Sequence, residues 1–172
     1  MLKKVELLAN LSIIVIALLL GGVLGKRYLL PQNPSPPAQA QIQPGTKLSL
    51  PDVDWSKSRR TLLMVLSTSC RYCTESASFY QTLAREKSER GGARLIAVLP
   101  QNVSESQKYL NDHGITVDAI RQANPGTLQA SGTPTLIMTD QTGTVITSWV
   151  GKLTPPKEVE VLNRLLIETP GD

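Results

Sequence analysis

Cys70 and Cys73 are the only thiols in the 172-residue chain, and they stand three positions apart in the stretch "STSCRYCTES". A disulfide between them would close a very small ring and remove little entropy from the unfolded chain, so structural stapling is a poor use for the pair. Three uses remain: a redox couple, a clip for a soft metal ion, or two core residues adjacent by chance. A structural zinc site wants four ligands, and beyond the two cysteines the chain holds a single histidine, His113. His113 stands beside Gly114 at the end of a polar helical stretch and reads as a solvated residue near a helix end. A metal site would need a second molecule or distant carboxylates, so none is expected, and no cofactor is implied.

The redox reading depends on what positions the pair. "TLLMVLS" (61–67) is a continuous apolar run ending in small polar residues, as expected of a strand buried on both faces. Beyond it Cys73, Ala77, Tyr80, Leu83 and Ala84 recur at helical spacing, on a helix that stops at Gly91–Gly92. Cys70 thus sits where a buried strand becomes a helix N-terminus, and free N–H groups there favour the thiolate. Arg71 adds a positive charge to the same end. Cys73, one turn further in, is the expected inner partner, able to attack a mixed disulfide on Cys70 and release the product.

The remaining pattern predicts an α/β sandwich around a mixed sheet. "ARLIAVLP" (93–100) is a second buried strand, "VSESQKYLNDHG" (103–114) a helix with Ser104 as candidate cap, and "ITVDAI" a short strand. "PTLIMTD" and "TVITSWVG" are two strands around the hairpin signal "DQTG". "TPPKEVEVLNRLLIE" closes the chain as a helix capped by Thr154, with Val159, Leu162, Leu165 and Leu166 on one face.

Upstream lies "LLANLSIIVIALLLGGVLG", residues 7–25, without a charge. As a helix it would be about 28 Å long, enough to span a bilayer. A cleaved signal peptide is the alternative, but "GKRYLL" rather than a small-residue cleavage site follows directly. An uncleaved signal-anchor over 1–27 is therefore expected, in contact with the lipid bilayer through 7–25. Lys3 and Lys4 on one side nearly balance Lys26 and Arg27 on the other, so charge leaves the orientation open. These flanks carry most of the net charge of +4, which argues against a nucleic-acid-binding face. A proline-rich spacer, 28–46, holds Pro31, Pro34, Pro36, Pro37 and Pro44. Extended at about 3.1 Å per residue, the 14 positions from Pro31 to Pro44 would set a domain over 47–172 roughly 40 Å from the membrane.

From about residue 47 to 170 the chain resembles the thioredoxin superfamily, and its anchored layout resembles the membrane-anchored TlpA/ResA-type disulfide reductases. A second landmark joins the C-x-x-C pair: "SGTPTLIMTDQTGTVITSWVGKLTPPKEVEVL", with Gly, a variable residue, proline and Thr, then a hairpin, a V-G pair and a final helix. The resemblance implies a thioredoxin-like fold, a central mixed β-sheet flanked by helices, after an N-terminal transmembrane helix. It also implies thiol–disulfide exchange through Cys70 and Cys73, a cis Pro134 facing Cys70, and Thr133 offering backbone hydrogen bonds to an incoming chain as an added strand. Arg71 and Tyr72, between the cysteines, would tune the pair. The implied partners are protein thiols and disulfides in the cell envelope, with apocytochrome c among the candidates, and a membrane or envelope redox partner. The implied place is the bacterial inner membrane, the domain facing the periplasm.

The chain also departs from the family pattern. Ser69 replaces the usual tryptophan before the first cysteine, Met64 the buried acid six positions before it, and Ser76 and Ser78 the Glu and Pro of the TlpA/ResA type. The proton acceptor for Cys73 is left unassigned. Tyr72 in the second intervening position is similar to glutaredoxins and bacterial disulfide isomerases, which makes isomerase-like or glutathione-linked exchange the rival within the class. A metallochaperone or redox-inert binding module is the rival outside it.

Overall fold

Burial alternates along the strand that leads to the cysteines. Leu62, Met64 and Leu66 face one buried cluster, and Leu63 and Val65 the other. A strand lined by apolar side chains on both sides belongs in the middle of a covered sheet. The computed structural model describes residues 14–16 and 41–166 and places this strand accordingly.

The chain divides into two compact units, Met1–Pro37 and Ala38–Asp172. Of the first, Ile14–Ile16 are helical. The rest of the expected anchor, and the spacer up to residue 40, lie outside the described residues. Among the described residues no helix is long and apolar enough to cross a membrane.

The second unit runs β1 (Arg60–Val65), α1 (Arg71–Glu75), α2 (Ala77–Arg90), β2 (Arg94–Leu99), α3 (Val103–Asp112), β3 (Ala119–Gln122), β4 (Thr135–Asp140), β5 (Val145–Val150) and α4 (Pro155–Leu166). The five strands lie in the order β3-β2-β1-β4-β5. β1 pairs parallel with β2 and antiparallel with β4, which sets Leu63 against Ile96 on one side and Ile137 on the other. This is the mixed sheet with flanking helices that the resemblance implies.

The helices bury their apolar faces against one side of the sheet: Tyr80 and Leu83 of α2, Leu110 of α3, and Val161 and Leu165 of α4. Val159, expected on the buried face of the last helix, is exposed, and Val161 takes its place. One residue turns a helix by about 100°, so residues 158, 161, 162, 165 and 166 form the inward stripe. The cap of α3 also differs from expectation. Asn102 rather than Ser104 accepts the amide of Glu105, at 2.9 Å. β3 starts at Ala119, later than residue 115, and just before it the Asp118 carboxylate accepts the Leu95 amide at 2.8 Å.

Among the described residues no long helix covers the opposite side. A strap from Ile42 to Leu50 covers it with short helical turns at Trp55–Lys57 and Pro125–Leu128. Ile42 is buried, and its backbone exchanges two hydrogen bonds with the Ser148 hydroxyl, at 2.9 and 3.2 Å. Ile42, five residues before the domain boundary expected at residue 47, is thus packed into this core.

Candidate active site

β1 ends under the loop Ser67–Ser69, and this loop aims Cys70. The Ser67 carbonyl accepts the Cys70 amide at 3.1 Å. Gln101, just past β2, braces the loop from the side: its Nε2 donates to Ser67 Oγ at 3.3 Å and its Oε1 accepts the Thr68 amide at 3.4 Å. Cys70 is the N-cap of α1, with extended backbone, as N-cap residues have. Its sulfur accepts the Cys73 amide at 3.1 Å, in the place a serine or aspartate oxygen usually fills.

α1 is one turn long and breaks at Ser76, whose backbone leaves helical geometry before α2 resumes. The expected single helix is thus two, with Cys73 and Ser76, three positions apart, both buried at the junction. Both cysteines are free thiols. Cys70 is half-buried and Cys73 is fully buried.

The second landmark arrives from β4. The Thr133–Pro134 peptide is cis. The Thr133 carbonyl accepts the Cys70 thiol at 3.3 Å, across 63 positions of sequence. Pro134 is buried, and its carbonyl accepts the Gly151 amide at 2.8 Å, tying this loop to the end of β5. The structure thus brings Cys70, Cys73, Thr133 and Pro134 together.

Arg71 and Tyr72 lie at the rim. Tyr72 is exposed. Arg71 is 86% exposed and its Nε donates to the Glu75 carboxylate at 2.7 Å. The other oxygen of Glu75 takes Lys152 at 2.8 Å, which joins α1 to the loop after β5. Hydrogen bonds from Lys152 and then Arg71 hold the Glu75 carboxyl below its usual range. As a charged group facing the surface, Glu75 is poorly placed to take a proton from Cys73.

Burial dominates at the inner thiol and pushes Cys73 up from its ordinary 9.0 to about 12. The Cys70 side chain raises it further, while the Ser67 backbone and the Thr133 hydroxyl partly oppose the shift. Met64 and Ser76, which replace the family's acids, are both buried beside it. Two tyrosines the sequence did not mark as functional share this pocket. Tyr80 sits in the same core, its phenol pushed up by burial and then by Cys73. Tyr109, from α3, is shifted the same way. Helical spacing marks Tyr109 as inward-facing with Ser106 and Leu110, and α3 buries it in the core cluster that also holds Cys73. His113 caps α3 with its ring 4.4 Å from that of Tyr109, at the helix end expected for it. Among the described residues no three His, Cys, Asp or Glu side chains converge as a metal site. The hollow lined by Lys57, Lys87, Arg94 and Asp118 lies at the far end of the sheet from the thiols.

No family model and no curated protein matches the sequence. Solved structures do match. A protein assigned as the thiol:disulfide interchange protein DsbE of Chlorobium tepidum is 18% identical, with 75% of this chain and 97% of that chain covered at a TM-score of 0.53. The thioredoxin domain of a thiol-disulfide oxidoreductase from Bacteroides vulgatus is 11% identical, covering 73% and 99% at 0.54. A secreted thiol-disulfide isomerase from Corynebacterium glutamicum is 17% identical, covering 63% and 69% at 0.51. Residues 41–166 have the thioredoxin fold.

Proposed function

We propose that this chain is a membrane-anchored, extracytoplasmic thiol–disulfide oxidoreductase that reduces or exchanges disulfides in proteins through Cys70 and Cys73. The observation that carries the reading is the asymmetry of the pair: Cys70 is half-buried, held by the Cys73 amide and the Thr133 carbonyl, while Cys73 is sealed behind it. That geometry suits a two-step exchange. The Cys70 thiolate attacks a sulfur of the substrate disulfide, forming a mixed disulfide and releasing the first substrate thiol. Cys73 then attacks Cys70 Sγ, forming the Cys70–Cys73 disulfide and releasing the second. The substrate is reduced by two electrons and the pair is oxidised; a thiol reductant returns it to the dithiol.

Thr133 and Pro134 are the proposed docking edge, where an extended substrate adds backbone hydrogen bonds beside Cys70. Arg71 and Tyr72 are the proposed tuning residues at the rim. The apolar stretch 7–25, the proline-rich spacer and the secreted C. glutamicum likeness support a domain held outside the cytoplasm. Envelope proteins, apocytochromes c among them, are the proposed substrates.

Turbidity from insulin reduction in the presence of dithiothreitol tests the activity. Wild-type protein should accelerate it and Cys70→Ser should not. Equal rates for the two, with stoichiometric metal on purified wild type, would favour a metal-carrying pair instead. Protease added to spheroplasts should remove the domain; protection would reverse its orientation.

A further inference from the structure

Two routes of contact tie the one-turn helix α1 to the loop that carries Thr133 and Pro134. At the front of the helix the Cys70 thiol donates to the Thr133 carbonyl at 3.3 Å. At its far end Glu75, the last residue of α1, takes Lys152 at 2.8 Å. The neighbouring Gly151 amide donates to the Pro134 carbonyl at 2.8 Å. Cys70, Glu75, Lys152, Gly151, Pro134 and Thr133 therefore form a closed ring, in which chain segments alternate with non-covalent contacts. α1 is five residues long, Ser76 breaks it from α2, and Cys73 is its one buried residue. Its seat against that loop thus draws on the contacts at its two ends.

The two ends differ in what they need. The Cys70 contact requires a proton on sulfur, which a Cys70–Cys73 disulfide lacks, whereas the Glu75–Lys152 pair involves neither thiol. Contacts that close one ring reinforce each other, because each removes freedom that the other would otherwise have to remove. The ion pair therefore stabilises the dithiol, where both contacts exist, more than the disulfide. Arg71 donates to the same carboxylate from within α1 and does not reach across to the loop.

We propose that Glu75 and Lys152 are positioning residues that favour the reduced form of the pair, by holding α1 where the Cys70 thiol meets Thr133. The proposal rests on the exchange reading above. Oxidation by glutathione disulfide takes two electrons and both thiol protons from the pair, forms the Cys70–Cys73 bond and yields two glutathione thiols. It also ends the S–H contact, so reduction and the ion pair favour the same closed arrangement. Breaking the ion pair makes the protein a stronger reductant.

The experiment equilibrates the full-length protein with glutathione buffers of graded ratio, at mildly acidic pH to favour the protonated dithiol, and scores free thiols after acid quenching. Lys152→Met and Glu75→Ala should each shift the equilibrium toward the disulfide. For a screened surface pair the expected shift is roughly threefold, about 14 mV lower in potential at about 29.6 mV per tenfold. The double variant should match either single one, and Lys152→Arg, which keeps the pair, should restore the wild-type value. The sign of the Glu75→Ala shift separates positioning from bare charge. If Lys152 and Glu75 acted on the sulfurs only through space, losing the lysine would disfavour the reduced form and losing the carboxylate would favour it. Opposite shifts in the two variants therefore overturn the proposal, as do unchanged potentials or additive shifts in the double variant. Wild type that keeps both thiols free at every glutathione ratio would instead sink the exchange reading itself.

Discussion

The Cys73 amide donates to the Cys70 sulfur at 3.1 Å, so one helical turn supports the outer thiol while burying the inner one. The two serine replacements should therefore behave differently. Cys73→Ser keeps an accessible nucleophile that cannot clear its mixed disulfide, so partner adducts should accumulate. Cys70→Ser leaves only a sealed thiol, and its adducts should be roughly tenfold fewer in acid-quenched extracts run without reductant. Equal trapping would refute the assigned order of attack.

Reduced protein should lose stability at alkaline pH through Cys73. Its folded value is raised from 9.0 to about 12, so between these values the folded state keeps a proton that the unfolded state has released. Stability from this group is complete below pH 9.0 and is lost as pH rises toward about 12, at about 1.4 kcal/mol per pH unit. Tyr80 is displaced in the same direction, so the comparison must be internal. Urea midpoints of wild type and Cys73→Ala, measured under reductant from pH 8 to 11, should show the steeper fall in wild type. Parallel curves would contradict the burial argument.

Ile42→Ala should destabilise the full chain by about 2–4 kcal/mol, since it empties a buried site in the second core cluster. A loss under about 0.5 kcal/mol in urea denaturation would mean that the strap does not contribute to that core.

Arg71→Ala should change alkylation of Cys70 by no more than about fivefold near neutral pH. The guanidinium is exposed and held by Glu75, and solvent screens such a surface charge. A larger effect would make Arg71 the main activator of Cys70.

Gly92→Ala should be costly away from the site. Gly92 has φ +115°, and a Cβ there would lie 2.5 Å from the Leu165 carbonyl oxygen of α4. The expected loss is about 2 kcal/mol or more, read as a lowered melting temperature with exchange chemistry retained.

Much of this was legible in the order of residues, because it depends on short range. The apolar run 61–67, the alternation through the "DQTG" hairpin and the helical spacing after Cys73 each set a local element, and those elements place the thiols at a strand-to-helix turn. The family's Gly-Thr-Pro landmark marked Pro134 as the thiols' neighbour, yet nothing in its spacing to Cys70 shows the approach. Thr133 reaches that sulfur because β4 lies antiparallel beside β1, and strand order is decided by which faces can be buried together. The same holds for Ile42, whose environment is the far side of the sheet, and for Val161, selected over Val159 by the angle at which α4 docks. Tyr109 is the sharpest case. Periodicity turns it inward, but whether its hydroxyl meets a partner depends on what the assembled core packs against α3. Periodicity is a property of a few neighbouring residues, whereas satisfaction of a buried polar atom is a property of the assembled core.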